Sequence, residues 1–301
     1  TGGVWWREEW GRVCGGVERV GGGGGGGWSN LQSMRINLPC CGDGEFGRLQ
    51  AGVRLLLPIM PALTASTPVL DGRITGMLDS RMGFYGKNSA RVPSVAGLVV
   101  PEPIFDEASY RRDIFQRMYR DMALLDPEGL LCDEFLNARG AIARFDRGAI
   151  EIRVLDTQEC PAADVAVAGL IRGALLALAQ DRVGDIGRHR DMDTARLADI
   201  LRSVIYDADA AVVDDADYQA ALGLPPGRIT AADAWRALVQ AVGPDMERDP
   251  LWDAPLGTIL GRGCLARRIL AALDGDVSRP NLAAVYRRLA DCLEAGEVFD
   301  G

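Results

Sequence analysis

The stretch Gly148–Asp156 alternates at every second position: Ile150, Ile152 and Val154 are apolar, with Glu151 and Arg153 between them. A period of two predicts a β-strand with one face against a core and the other towards water. Arg35-Ile-Asn-Leu38 repeats the pattern on a smaller scale, with Arg35 and Asn37 on one face and Ile36 and Leu38 on the other. From about Glu45 to Leu63 the spacing becomes helical, with a broad apolar stripe, and Pro58 and Pro61 predict a kink or break there. Asp106–Leu125 reads as an amphipathic helix whose Arg111, Arg112, Arg117 and Arg120 form a solvated face.

The most apolar segment, Val165–Ala179, is too short to span a bilayer and is interrupted by Arg172. It reads as a buried core helix, with Pro161 and Asp164 as its start signals. After Asp193 the pattern is helical almost to the end, near 193–207, 231–243, 256–274 and 281–295. Pro225-Pro226-Gly227, Gly243-Pro244 and Asp274-Gly275 punctuate those helices. Asp71–Pro103, rich in Gly, Ser, Arg and Pro, reads as mostly loop. The fold class is therefore α+β: a mostly antiparallel sheet wrapped by helices, with a helical C-terminal third.

Residues 1–26 stand apart, with three Trp in the first ten positions and a glycine run over Gly21–Gly27. Such a run loses much backbone entropy on ordering and has nothing to pack, so it reads as disordered or as an artefact. It lacks the Lys-Ser/Thr of a phosphate-cradling loop. Residues 27–301 are long enough for one large domain.

Charge and cysteine usage narrow the partners. The net charge of −9 argues against nucleic acid, and no membrane-spanning or secretory segment is evident. Seven cysteines without a CxxC pair, and a single histidine, argue against structural zinc and for a reducing, cytoplasmic setting. His189 lies in a polar turn and reads as exposed. Gly261-Arg-Gly-Cys-Leu-Ala-Arg-Arg268 reads as a helix start with exposed arginines.

A carboxylate and a guanidinium two residues apart on a wet strand face suit a site for Mg²⁺ and phosphate, Glu151 holding the cation and Arg153 gripping a phosphoryl oxygen. The same spacing also fits an ordinary diagonal ion pair on a solvated face. Asp156 closes the strand and either supports the site from behind its contact residues or, the favoured reading, caps the following turn.

Motif order adds to this. Ile150-Glu-Ile-Arg-Val-Leu-Asp156 followed by Thr157-Gln-Glu-Cys-Pro161, the run Gly27–Pro39, and Ala62-Leu-Thr-Ala-Ser-Thr-Pro68 leading to Asp71-Gly-Arg73 all occur in family order. Together they resemble the glutamate–cysteine ligase type 2 family, ATP-dependent carboxylate–amine ligases with a glutamine synthetase/guanido kinase type of fold.

The resemblance implies ATP and Mg²⁺ as cofactors, and a γ-glutamyl phosphate intermediate attacked by an amine such as cysteine. It implies Glu151 as metal ligand and catalytic residue, and Arg153 at the transferring phosphoryl group. Arg144 and Arg147 are candidates for nucleotide phosphate; Arg73 and Arg81 for the glutamate carboxylate; Asn37 and Ser66 for the substrate pocket. Similar sequences carry His two residues before the Asn37 position, where this chain has Arg35, which cannot ligate a metal. They also begin with strands bearing a Glu-x-Glu arrangement. Nothing before Gly27 resembles these, so the sequence reads as a partial domain, and a nucleotide- or protein-binding remnant is the alternative to an active ligase.

Overall fold

The computed structural model describes residues 31–127, 129, 131, 134–243 and 250–301. The glycine-rich segment 1–26, positions 27–30 of the first motif, Cys14, Cys132 and Pro244 lie outside the described residues.

Strand β1 (Met34–Pro39) runs into helix α1 (Gly42–Leu56), a 3₁₀ turn (Leu57–Ile59) and helix α2 (Pro61–Thr64). The break falls where Pro58 and Pro61 remove helical N–H donors. A small hairpin follows, β2 (Val69–Leu70) with β3 (Arg73–Ile74), then α3 (Ser80–Tyr85). The segment expected to be loop thus holds the second strand of a hairpin and a helix, and the parallel bridge of Thr67 with Asp79 ties it to the chain upstream. Next come α4 (Glu107–Tyr110), a π turn (Arg111–Phe115) and α5 (Gln116–Met122), with Arg111, Arg112, Arg117 and Arg120 exposed as expected.

Strands β4 (Ala141–Arg144) and β5 (Ala149–Leu155) form the central hairpin. Its turn closes through Gly148 at φ 58, a left-handed conformation that a Cβ would oppose. Strand β1 adds antiparallel to the other side of β5, giving the order β1-β5-β4. Ile36, Leu38, Ile150, Ile152 and Val154 share one face and, all but half-buried Ile36, enter the core as their alternation predicted. All seven residues of β5 are buried, so the face bearing Glu151 and Arg153 is not the wet surface expected. Polar side chains cover it, as described below.

Helix α6 (Pro161–Ala179) packs against α1 and the later helices. At 19 residues it is longer than its apolar stretch suggested, and long and apolar enough to cross a membrane by length and composition, with half of its most apolar window buried inside the fold.

The rest is helical: α7 (Ile186–Asp191), α8 (Thr194–Asp207), the ribbon β6 (Val212–Val213) and β7 (Ile229–Thr230) flanking α9 (Ala216–Ala221), then α10 (Ala231–Val242), α11 (Pro250–Arg262), α12 (Leu265–Leu273) and α13 (Arg279–Ala295). The segment expected as one helix over 256–274 breaks into α11 and α12, because Gly263 turns at φ 88.

Two polar residues sit deeper than expected. His189 is fully buried, its Nε2 accepting the Asp185 N–H (3.1 Å) beside the Ala221 carbonyl (3.0 Å). Arg268 is buried as well, its Nη1 donating to Glu159 (2.5 Å) and to the Phe299 carbonyl. His189 is covered by the end of α9 at Ala221, and Arg268 by the C-terminal residues, which fold back over α12.

Candidate active site

The polar face of the sheet is built around one carboxylate. In the antiparallel register Glu151 lies opposite Asn37 on β1 and Ile142 on β4, so these side chains leave the sheet on the same side. Three arginines converge on it. Arg153, two residues along the same strand, donates its Nε to Oε1 at 2.6 Å. Arg35 on β1 donates Nη1 to the same oxygen at 3.2 Å, and Arg144 on β4 donates Nη1 to Oε2 at 3.4 Å. A register shift between Met34 and Ile36 places Arg35 at a bulge, which re-aims its side chain along the strand.

Burial pushes the Glu151 carboxyl up, but the charge and hydrogen bond of Arg153, then Arg35 and Arg144, outweigh it and hold the group below its ordinary value. Glu151 is therefore an ionised anchor.

Each arginine is held differently. Arg153 also donates Nη1 to the Asn137 carbonyl at 2.7 Å, and hydrogen-bonds the Tyr85 hydroxyl. Arg144 spends Nε and Nη2 on Asp146 at 3.0 and 2.8 Å. Arg35 alone reaches solvent, with 55% of its side chain exposed against 10% for Arg153 and 9% for Arg144. Arg147 is exposed beyond Asp146, to which it makes a 3.5 Å contact.

At the end of β5, Asp156 does not cap the following turn as expected. Its Oδ2 accepts from the Ser66 N–H (2.9 Å), the Ser66 hydroxyl (3.2 Å) and the Thr67 hydroxyl (3.0 Å), while Oδ1 accepts from Arg81 Nε. Arg81 also donates Nη1 to the Arg153 carbonyl at 3.3 Å. Burial pulls the Arg81 guanidinium down, but Asp156 and Asp79 more than restore it. Ser66 and Arg81, expected at the substrate, are thus engaged with Asp156 in a layer next to the Glu151 cluster. That engagement offsets the cost of burying the charge, since a buried carboxylate is stabilised by donors on both oxygens.

Arg73 lies exposed on β3 and Asn37 exposed on β1 opposite Glu151, both facing water.

Sequence reasoning missed several residues. Arg139, 2% exposed, grips Glu102 through Nε and Nη2 at 2.5 and 2.6 Å and donates to the carbonyls of Ser94 and Val95. With Tyr85 and Asn137 it braces Arg153 from behind. No local periodicity marks these positions, because their partners come from separate loops. The sequence profile of glutamate-cysteine ligase family 2 matches residues 33–288, a span holding every residue just described. The chain belongs to this family.

Among its relatives, a protein of Archaeoglobus fulgidus named "Uncharacterized protein" is 33% identical over 184 residues, covering 60% of this chain and 49% of that protein. The chain thus spans about half the length of the relative it matches. Membership in glutamate-cysteine ligase family 2 gives the arginine-lined face its chemical context.

The residues present do not fit Mg²⁺, which the resemblance implied Glu151 would hold. Both Glu151 oxygens already accept from guanidinium groups, and among the described residues no cluster of three or more His, Cys, Asp or Glu is placed to hold a metal ion. A divalent ion there would meet three fixed positive charges, each repelling it by about 4 kcal/mol per unit charge at a separation of ~4 Å in a partly wet site. An ion that depends on protein carboxylates together with phosphate oxygens finds one saturated carboxylate here.

Proposed function

We propose that this family member joins the γ-carboxylate of glutamate to an amine, cysteine being the first acceptor to test, at the expense of ATP. A γ-carboxylate oxygen attacks the terminal phosphorus, the bond to the bridging oxygen breaks, and ADP departs. The amine then attacks the acyl carbon, phosphate leaves, and the amine proton is released. Such chemistry needs positive charge around the transferring phosphoryl group more than it needs a nucleophilic side chain. The observation that carries the reading is the convergence of Arg35, Arg144 and Arg153 on one buried carboxylate.

In this reading Arg153 meets the phosphoryl group, held in place by Glu151 and Asn137. Arg144 and Arg147 face the nucleotide phosphates, while Arg73 and Asn37, both exposed, contact the glutamate. Arg81 and Ser66 act as positioning residues, fixing through Asp156 the loop that leads to Arg73. Glu151 orients the arginines. A cytoplasmic setting, where ATP and reduced thiols coexist, suits this reaction.

Glutamate-dependent ADP release by the purified chain, with and without cysteine and a panel of amines, tests the proposal. Release that rises with one amine supports it, and the panel names the acceptor. The saturation of Glu151 by guanidinium groups favours a second reading, an inactive family member that binds nucleotide or a protein. ATP binding without glutamate-dependent ADP would select it.

A further inference from the structure

The misfit with Mg²⁺ points to how the site handles a polyphosphate. We infer that the Arg35 guanidinium stands in for a divalent cation, so that this chain binds its nucleotide triphosphate as the metal-free anion; this rests on the nucleotide-dependent reading above.

Three observations carry it. The first is charge: the connected ion pairs around Glu151 hold Arg35, Arg111, Arg144, Arg147 and Arg153 against Glu107, Glu134, Asp146 and Glu151, five guanidinium groups to four carboxylates. The second is availability. Arg144 and Arg153 are almost wholly buried and hold several acceptors each, whereas Arg35 is half-exposed and touches Glu151 through a single Nη1. More than half of its side chain is exposed, and a planar fork of that kind pairs with phosphate oxygens bidentately. The third is position. The register shift in β1 sets Arg35 beside the Glu151–Arg153 pair, with its charge on the strand carboxylate that a divalent cation would otherwise need as a ligand.

A triphosphate arriving with Mg²⁺ brings that ion against three guanidinium groups, while a bare triphosphate brings four negative charges to them. The cluster is complementary to the second species. Glu151 stays ionised throughout and keeps Arg35 aimed at the incoming anion until the phosphate oxygens compete for it.

The experiment is calorimetric titration of the full chain with ATP, once in excess EDTA and once in millimolar Mg²⁺, on wild type, Arg35→Ala and Arg35→Lys. The expected result is wild-type affinity in EDTA at least equal to that in Mg²⁺. Arg35→Ala should bind at least tenfold more weakly in EDTA and regain part of that loss when Mg²⁺ is added. Arg35→Lys, which keeps the charge without the fork, should fall between. Wild-type binding that drops tenfold or more on chelation overturns the inference and leaves the nucleotide-dependent reading standing. Unchanged EDTA binding by Arg35→Ala overturns it too. Absence of ATP binding in either buffer, by a chain whose circular dichroism shows it folded, removes both the reading and the inference. Arg35 is half-exposed, so its variants should fold.

Discussion

Arg81 and Asp156, 75 residues apart in sequence, form an ion pair that is almost wholly buried where β5 ends. The pair fastens α3 to the central strand, and the Ser66 and Thr67 hydroxyls complete the shell of the carboxylate. Removing one partner leaves an uncompensated buried charge, which costs about 3–5 kcal/mol. Arg81→Met and Asp156→Ala should each lower the urea unfolding free energy by that order. A loss below about 1 kcal/mol in both would show that the pair contributes little to the folded state.

Asp79 makes a prediction of opposite sign. Its Oδ1 accepts the Met82 N–H and so caps α3, but its other oxygen is buried with no hydrogen-bond partner. Burial first, and then the Asp156 charge, raise its carboxyl well above the ordinary 3.8, against the pull of Arg81 and the Met82 N–H. A raised folded value means the proton is bound more tightly in the folded chain than in the unfolded one. The stabilising contribution is complete below the unfolded value and is lost as pH rises through the folded one. Asp79→Asn keeps the capping oxygen and never ionises. It should raise the melting temperature relative to wild type at neutral pH and lose that advantage near pH ~4, where wild-type Asp79 is protonated. Equal melting temperatures across the range would sink the argument. Glu151 titrates the other way. Held below its ordinary 4.5, it stabilises above that value and loses its contribution as pH falls through the folded one.

What the sequence disclosed divides along a physical line. Strands β1 and β5, the proline break after Leu57 and most of the C-terminal helices were legible because each is written in local periodicity and local breakers. The setting of Glu151 was not. Alternation said only that Glu151 and Arg153 share a face, and whether that face is wet depends on Arg35, Tyr85 and Asn137, which arrive from three other segments. Asp156 was legible only as one of two readings, and the favoured turn cap failed for the same reason, since its donors lie 75 to 90 residues upstream. His189 looked exposed because its neighbours are polar. Its burial comes from Ala221 on α9, which no nearby residue announces.

The proline break itself exposes two carbonyls to a second test. Where the helical ladder fails around Pro58, the Leu55 carbonyl accepts from the Tyr218 hydroxyl at 2.9 Å and the Ile59 carbonyl from Trp235 Nε1 at 2.7 Å. Both donors are fully buried. These bonds tie the C-terminal helices to the turn that carries the chain from α1 towards Ser66. Tyr218→Phe keeps the ring and leaves one buried acceptor unsatisfied, a cost of about 1–3 kcal/mol. Chemical denaturation should show that loss with an unchanged m-value, and a variant as stable as wild type would mean the carbonyl finds another donor.

Arg153 is the residue on which the catalytic reading turns, and its geometry separates charge from shape. Nε is committed to Glu151 at 2.6 Å and Nη1 to the Asn137 carbonyl at 2.7 Å, so the guanidinium plane is fixed before any substrate arrives. A lysine would carry the same charge but has one nitrogen where the site uses a fork. If preorganised positive charge at the phosphoryl group drives turnover, Arg153→Ala should reduce glutamate-dependent ADP release by roughly 10²–10³-fold, as loss of a single transition-state donor does elsewhere. Arg153→Lys should recover only a small part of that loss, because an ammonium pulled towards Glu151 abandons Asn137 and the orientation it enforces. Activity restored close to wild type by Lys would show that charge alone suffices and that the two-point anchoring of Arg153 belongs to folding. Near-normal turnover in Arg153→Ala would instead place the phosphoryl group elsewhere on the sheet.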